Sequence, residues 1–420
     1  MSQLRPTQAG HPINKAEHTP PNIEEVRYRE LFAPTQAPPQ SGPLPDFLKQ
    51  KAERVLTLGP WSVCQKSFDP PSGDPHDYMS LSRYYHPNPA TVDGLPYIAR
   101  DGIVNPEIGQ YDYGKLSQLV HAIQLLSLAY GRHRDPRYAE HAALLLKAWF
   151  IQPATRMNPH LKFAQYIPGG AGVAGPPTYP PRWVEGRPGR GLYVSYGGAI
   201  EGSCFPLLLD ALRPFAESAA FSPALWDGLR AWFSEFLDWL LASPLGQDEK
   251  NTRNNHALWY RVQVASYALF TGRRDLARSV IETDLPALLE AQMAEDGSLP
   301  EECWRAIPLT YIYFALAALS NLAQLGEELG LKDRWHRKTE NGKSIHRGAL
   351  WFARHLLEQP PKDGGHEDKS RVEALCRMLM SRAAALDQDP IFRQVLDLLP
   401  PWPDHDERGL LFPVHPQESR

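Results

Sequence analysis

Beyond residue 114 the apolar positions recur at three- and four-residue intervals, the spacing of a helix with one buried face. Leu116, Leu119, Val120, Ile123 and Leu126 share such a face, and Tyr138, Ala142, Leu145 and Trp149 form the next. The same periodicity predicts helices near 46–56, 201–216, 223–242, 255–271, 274–293, 307–329, 346–358 and 370–385. In the 223–242 segment Leu225, Leu229, Trp232, Phe233, Phe236 and Leu240 make a wide stripe. Several helices are apolar on more than one side, as expected where helices stack in layers. Strand-like alternation is confined to residues 192–196. About ten helices joined by Pro- and Gly-bearing loops suggest an all-α fold of helical hairpins arranged in a ring. A solenoid or a bundle would give the same periodicity.

Two long stretches escape the helical pattern, 59–114 and 153–198. Irregular segments of that length inside a compact domain are usually functional. Residues 1–45 are polar, contain nine prolines and read as an extended arm. The body is expected over 46–400, with a tail at 401–420.

Composition sharpens this outline. The chain has 420 residues and 41 prolines, about twice the usual ~5%. With 42% hydrophobic and 22% charged residues the excess does not signal disorder; it signals helices separated by stiff, proline-marked loops. A net charge of −4 with no long basic run argues against a dedicated nucleic-acid partner. No run of about 18 apolar residues predicts a membrane span. Cys64, Cys204, Cys303 and Cys376 are far apart, without C-x-x-C spacing, and are expected to be free thiols. The first residues, MSQLRPTQAGHPINK, carry no apolar leader segment.

Four segments hold candidate chemistry. In KNTRNNHALWY, residues 250–260, Asn254, Asn255 and His256 stand at a helix start. Capping accounts for one asparagine but not for Asn-Asn-His followed by Trp259 and Tyr260. In SLPEECWRAIPLTYIYFAL, residues 298–316, Arg305 precedes Pro308 and a helix whose first turns carry Tyr311 and Tyr313. Taken alone, a surface arginine and two core tyrosines would look the same. The loop around Asp74, His76 and Asp77, with Lys66 before it and Tyr84, Tyr85 and His86 after, contains metal-ligand residue types, but its spacing fits no specific metal site. Loop-fixing hydrogen bonds are the simpler reading. Finally, residues 153–191 place Arg156, Lys162, Arg182, Arg187 and Arg190 against the single acid Glu185. Such a loop is either a solvated lid or an attractor for an anionic ligand, with Tyr166, Tyr179 and Trp183 offering flat faces. No G-x-S-x-G elbow, P-loop, H-E-x-x-H or dinucleotide fingerprint is present.

Taken in order, GPWSV, SGDPHDYMSL, YYHPNP and DGLPY between residues 59 and 97, then DPRYA, AWFIQPATRMNPHLKFAQYIPG, GRG, NNHALWY and LPEECWR with Tyr311, resemble the alginate-lyase domain of polysaccharide lyases over roughly residues 55–385. Tyr311 follows Arg305 by six residues, one fewer than in bacterial periplasmic alginate lyases, which places the likeness nearer the branch containing glucuronan lyases. The resemblance implies an incomplete α/α toroid whose long loops line a cleft. It also implies β-elimination on a 1,4-linked uronic-acid polymer, with no metal or organic cofactor. The implied partner is an anionic polysaccharide or oligosaccharide. Enzymes of this kind are expected outside the cytoplasm or in a periplasm.

β-Elimination suits these residue types. Removing the C5 proton of a uronate turns its carboxylate into a dianion-like enolate, so the site must neutralise charge as it develops. Asn255, His256 and Arg305 match the family's neutralising positions, and Tyr311 matches its acid/base tyrosine. His256 is the alternative base if proton and leaving group lie on opposite faces. Lys66 corresponds to a substrate-contact lysine, and Gln165 and Tyr166, in FAQYIPG, to a cleft-lining segment. Asn254, Trp259 and Tyr260 are expected to support the Asn-His pair or to contact sugar rings, with Tyr313 as second choice to Tyr311. Two departures bear on substrate preference: the long proline-rich loop 170–190, and Cys303 and Trp304 in place of smaller or more polar neighbours. Two other functions fit a helical toroid. A glycoside hydrolase would need two carboxylates about 5–10 Å apart, for which Glu201, Glu301 and Glu302 are available. A non-catalytic binder of anionic glycans would need none.

Overall fold

The computed structural model of the chain describes residues 44–170, 181–362 and 367–411. The proline-rich arm up to residue 43, residues 171–180 of the second long loop with Tyr179, and the tail beyond 411 lie outside the described residues. The helices are α1 Asp46–Val55, α2 Asp112–His133, α3 Pro136–Leu146, α4 Cys204–Ala211, α5 Pro223–Ala242, α6 Pro244–Lys250, α7 Asn255–Phe270 and α8 Arg274–Ser279. They continue as α9 Leu285–Gln292, α10 Pro300–Cys303, α11 Pro308–Glu328, α12 Ile345–Glu358, α13 Lys369–Leu386, α14 Pro390–Leu398 and α15 Arg408–Leu411. Six of them (α3, α5, α6, α10, α11 and α14) open on proline, where the missing N–H costs nothing and the fixed φ is already helical. Asp135, Ser222, Ser243 and Asp389 cap four of these starts through their side chains. Proline therefore marks helix starts here as well as loops.

Helices α2, α4, α7, α11 and α13 each pack on the next, forming one row. Within it α11 and α13 run in the same direction. The Thr310 N–H at the start of α11 donates to Glu367 just before α13 (2.9 Å). Near the far ends Arg382 donates to the Ser320 carbonyl (2.8 Å). Helix α12 returns between them, starting where both end. The α7 start meets the α10–α11 start through Asn255 and Trp259, so the N-termini of α7, α11 and α13 share one rim. The core between layers is aromatic: Phe150, Phe205, Trp232, Phe233 and Phe236 are all buried, with the Phe150 and Trp232 rings 4.7 Å apart. Helix α11 is long and apolar enough to cross a membrane by length and composition alone, but it lies buried among its neighbours, as the core helix of a layered protein does. The chain's later part returns to its start, where Lys51 on α1 donates to the His405 carbonyl (3.0 Å) and pairs with Glu407. The four cysteines are free.

The two long irregular stretches hold more strand than their sequence suggests. The strands are β1 Met79–Leu81, β2 Tyr85–His86, β3 Ile98–Ala99, β4 Phe163–Tyr166, β5 Arg182–Arg187 and β6 Arg190–Val194. One sheet has the order β1-β4-β6-β5, and β2 pairs with β3. Strand β1 lies parallel to β4 in register Met79 to Phe163, while β6 lies antiparallel to both β4 and β5. The expectation of strand only near 192–196 is thus too narrow. Runs of two to six residues are too short for alternation to show, and β1 gains its partner from a loop some eighty residues away. Helices α6, α10, α14 and α15 also escaped the periodicity, being short. The predicted 274–293 helix is α8 and α9 joined by a π-turn, Val280–Asp284.

Candidate active site

The start of α7 is arranged by its cap. The Asn254 side chain accepts from the His256 N–H (3.2 Å), which accounts for the first asparagine and puts Asn255 and His256 on the opening turn. Asn255 is buried, and both of its donors meet one carboxylate. Its backbone N–H donates to Glu302 Oε1 (2.6 Å) and its Nδ2 to Glu302 Oε2 (2.9 Å). Its Oδ1 is buried without a hydrogen-bond partner among the described residues. Glu302, on α10, is itself 2% exposed. Burial pushes its carboxyl up, against the Asn255 hydrogen bonds and the charges of Arg305 and His256, which favour the ionised form. Glu302 thus lies within electrostatic range of both halves of the site.

His256 is held from behind. Its Nδ1 lies 2.8 Å from Glu249 Oε1 on α6, and Glu249 is fully buried. Burial raises the Glu249 carboxyl, with the His256 contact opposing it. When Glu249 is ionised it can only accept, so Nδ1 then carries the hydrogen and Nε2 keeps its lone pair on the neutral ring. The turn at Gly197 lies against the ring: a Cβ there would fall 2.2 Å from His256 Cε1. Tyr196 flanks it, with ring centroids 5.4 Å apart.

Arg305 and Tyr311 form the other half. Pro308 starts α11, so Tyr311 sits on its first turn. Arg305 grips Asp101 in a fork, Nε to Oδ2 at 3.0 Å and Nη2 to Oδ1 at 2.6 Å. Nη2 also donates to Tyr311 Oη (2.7 Å), and the guanidinium stands 3.7 Å from the centre of the tyrosine ring. Three of the five guanidinium N–H groups are thereby used, and the two on Nη1 make none of these bonds. Burial pushes the Tyr311 phenol well above its ordinary range and neighbouring Tyr84 adds to this, while Arg305 pulls it back. Burial would also raise the Asp101 carboxyl, but the Arg305 bonds and charge outweigh it and hold it low.

Gln165 and Tyr166 end β4. Gln165 adopts φ +56°, uncommon for a residue with a Cβ. Its backbone is pinned on both sides, the N–H to Ser80 Oγ (2.7 Å) and the carbonyl to the Ser195 N–H (2.9 Å). Such strain held by its surroundings gathers at functional sites. Tyr166 is half-buried beside it.

Four expected contact residues lie elsewhere. Lys66 has a side chain only 2% exposed, paired with Asp112 Oδ2 at 2.7 Å and donating to the Asp77 carbonyl. It locks the first long loop onto the start of α2, where a polymer cannot reach it. Trp259 donates to the Phe314 carbonyl (3.1 Å) and stacks on the Phe314 ring. It joins α7 to α11, the supporting role rather than the sugar-stacking one. Tyr260 is buried over Arg261, its phenol pushed up to about 12 by burial. Tyr313 is buried beside Met378, two residues from Tyr311 and so on another face of the helix. Asp74 and Asp77 do fix their loop: Asn158 Nδ2 donates to both, at 3.0 and 2.6 Å. Although burial opposes it, the bonds from His160 and Asn158 bring the Asp77 carboxyl down to about 2. In the basic loop Arg182 pairs with Asp248 (2.5 Å) and Arg187 donates to the Ser72 carbonyl, so part of its charge is already engaged.

The acids considered for hydrolysis are committed too. Glu302 holds Asn255, Glu201 is buried and accepts from Tyr78 Oη (2.7 Å), and Glu301 accepts from the Trp304 indole (3.3 Å). Sequence reading missed Glu249, Asp101 and Gly197, and gave Tyr84 no role. Asp101 lies 204 residues from its arginine, and Glu249 sits seven before His256 in another helix, so neither carries a local signal.

Comparison with known proteins bears on the family and the fold. The alginate lyase family profile matches residues 62–361. A crystal structure of an alginate lyase from Bacteroides ovatus is 30% identical and superposes with a TM-score of 0.78, covering 94% of this chain and 96% of that one. A histidine-to-alanine variant of alginate lyase A1-III, complexed with tetrasaccharide, is 16% identical with a TM-score of 0.50, covering 93% of this chain and 99% of that one; at that identity it speaks for the fold alone. No curated protein sequence matches. With the family profile over most of its length and this helical architecture, the chain belongs to the alginate lyase family and is a polysaccharide lyase on an incomplete α/α toroid.

Proposed function

We propose that the chain cleaves a 1,4-linked uronan by β-elimination, with Asn255, His256 and Arg305 neutralising the carboxylate of the attacked residue and Tyr311 moving the protons. The observation that carries this reading is the Arg305 guanidinium, which touches Tyr311 Oη at 2.7 Å while its two Nη1 donors take no hydrogen-bond partner among the described residues. In the proposed reaction a base removes the C5 proton, the C5 electron pair forms the C4–C5 double bond, and the C4–O4 bond breaks. Tyr311 delivers a proton to the departing O4. A cation beneath the phenol stabilises tyrosinate, so the same side chain serves as base when both events occur on one face of the sugar. The shared rim of helix N-termini adds positive potential for an acidic ligand.

A second assignment of the base is favoured by one contact. Glu249 fixes the His256 tautomer so that Nε2 can accept a proton, the arrangement of an oriented general base. The pH dependence separates the two. A Tyr311 base gives kcat/KM that keeps climbing through the alkaline range, because the phenol is held above its ordinary value. A His256 base gives no such alkaline climb. The substrate proposed is glucuronan, from the Arg305–Tyr311 spacing, or mannuronate-rich alginate, from the activity named for the Bacteroides ovatus relative.

The test is incubation with glucuronan, polymannuronate and other uronans, following ultraviolet absorbance of unsaturated ends and sizing the products. Absorbance on at least one uronan, abolished by Tyr311→Phe, is expected. Silence on every uronan defeats the proposal, and new reducing ends without absorbance would indicate hydrolysis instead.

A further inference from the structure

The far end of the helical row carries a cluster that elimination chemistry does not use. We propose that His336, His346 and Asp387 bind a divalent transition-metal ion of the zinc class. His336 lies in the loop after α11, His346 on the first turn of α12, and Asp387 just after α13. Their ligating atoms all fall within 4.8 Å of one another. His336 Nε2 is 2.8 Å from Asp387 Oδ2, and His346 Nε2 is 2.7 Å from the same oxygen.

Three details favour a cation at the centre. First, His336 Nδ1 lies 2.6 Å from Asp333 Oδ1. That outer carboxylate takes the Nδ1 hydrogen and turns the Nε2 lone pair inward, the arrangement that orients metal-bound imidazoles. Without a metal, the 2.8 Å contact from Nε2 to Asp387 Oδ2 is a hydrogen bond donated by a doubly protonated ring; a divalent ion would take that proton's place between the two. Second, His346 Nε2 is buried and, despite its closeness to Asp387, makes no hydrogen bond among the described residues; the oxygen lies off its N–H direction. Third, Asp387 Oδ1 is occupied by the Asp389 N–H (2.8 Å), so the carboxylate presents Oδ2 to the cluster. Asp333 and Asp389 add negative charge nearby, with Lys338 opposing them.

Two imidazoles and one carboxylate suit zinc. Zinc ligands stand roughly 3.3 Å apart for bond lengths of about 2.0–2.1 Å, so the rings need to open by only about half an ångström. The His336 and His346 side chains remain 40% and 24% exposed, which leaves room for water in the remaining position. Helix α11 has 21 residues and is therefore about 30 Å long, with Tyr311 at its start and this cluster beyond its end. The ion would join the α11–α12 loop to the end of α13 without touching the lyase site.

The test uses untagged, metal-stripped, full-length protein. Zinc is titrated against a chromophoric chelator, and metal content is measured after gel filtration. About one tightly held zinc per chain is expected, with affinity at least ten-fold weaker in His346→Gln and about ten-fold weaker in Asp333→Asn. Absence of tight zinc binding, or equal binding by the wild type and His346→Gln, overturns the proposal. Should His346→Gln not fold, cobalt decides on the wild type alone: intense visible bands of low-coordinate Co²⁺ are expected, and their absence means the cluster holds only a shared proton. None of these readouts depends on lyase turnover.

Discussion

Asp101 is the sharpest lever on the proposed mechanism, because its bonds run to the arginine that the mechanism depends on. In Asp101→Asn the fork of 2.6 and 3.0 Å bonds to Arg305 loses its charge, and one of its two acceptors becomes a donor facing a donor. Hydrogen bonds to charged groups are worth about 1.5–3 kcal/mol each. The Asp101 side chain is 37% exposed, so water replaces part of the loss and the discounted figure is about 1–2 kcal/mol. If Arg305 placement matters only in the transition state, kcat/KM falls about 5- to 30-fold with KM little changed. A second signature follows from sign. The Asp101 charge raises the Tyr311 phenol, so removing it moves the alkaline limb of the pH profile to lower pH. A purely structural role would leave that limb in place. Stability supplies a control: the Asp101 carboxyl is depressed in the folded protein. Its contribution is therefore complete above the unfolded value of ~3.9 and is lost as pH falls through the folded value. The assay is ultraviolet progress curves on an accepted uronan from neutral to alkaline pH, beside denaturant melts. A variant within two-fold of wild type whose limb has not moved would refute the reasoning.

Other outcomes follow from the same contacts. Glu249→Gln can donate to His256 Nδ1 and so invert the tautomer, and a loss of about 10- to 100-fold in kcat/KM is expected for a charge-assisted bond of about 1.5–3 kcal/mol; unchanged kinetics would show that the tautomer is immaterial. Gly197→Ala places a methyl 2.2 Å from His256 Cε1, at a backbone φ of −98° that alanine adopts freely. Turnover should therefore drop about ten-fold while the melting temperature hardly moves, and an active Gly197→Ala would mean the ring has room to shift. Lys66→Met leaves Asp112 buried without its closest cation and should cost about 3 kcal/mol of stability. The folded fraction should keep its KM, and a large KM increase would return Lys66 to the substrate surface.

Much of the fold was legible because the signals were local. The stripe at 223–242 is α5 residue for residue, since a 3.6-residue period repeated over five turns leaves no other element that buries those side chains. Of the candidate site, the sequence marked Asn255–His256 by a cap and the Arg305–Tyr311 pair by Pro308 between them, and the family resemblance joined the two pairs. What escaped was whatever pairs across the chain: the strand partners β1 and β4, the carboxylates behind each catalytic candidate, and the interior placement of Trp259, Tyr260 and Tyr313. An amphipathic tyrosine reads the same whether its hydroxyl faces a cleft or a methionine.

Sequence by itself determined most of the longer helices and which few polar residues stand at their beginnings, because caps, prolines and apolar periods act within one or two turns. Only the tertiary structure decided that Asp101 would grip Arg305, that Glu302 would close on Asn255 from 47 residues away, and that Lys66 would be walled in against Asp112. Those are choices about which buried charge finds which partner. A buried charge is too costly to leave unpaired, so its partner is set by the packing of whole helices and not by any neighbour in the chain.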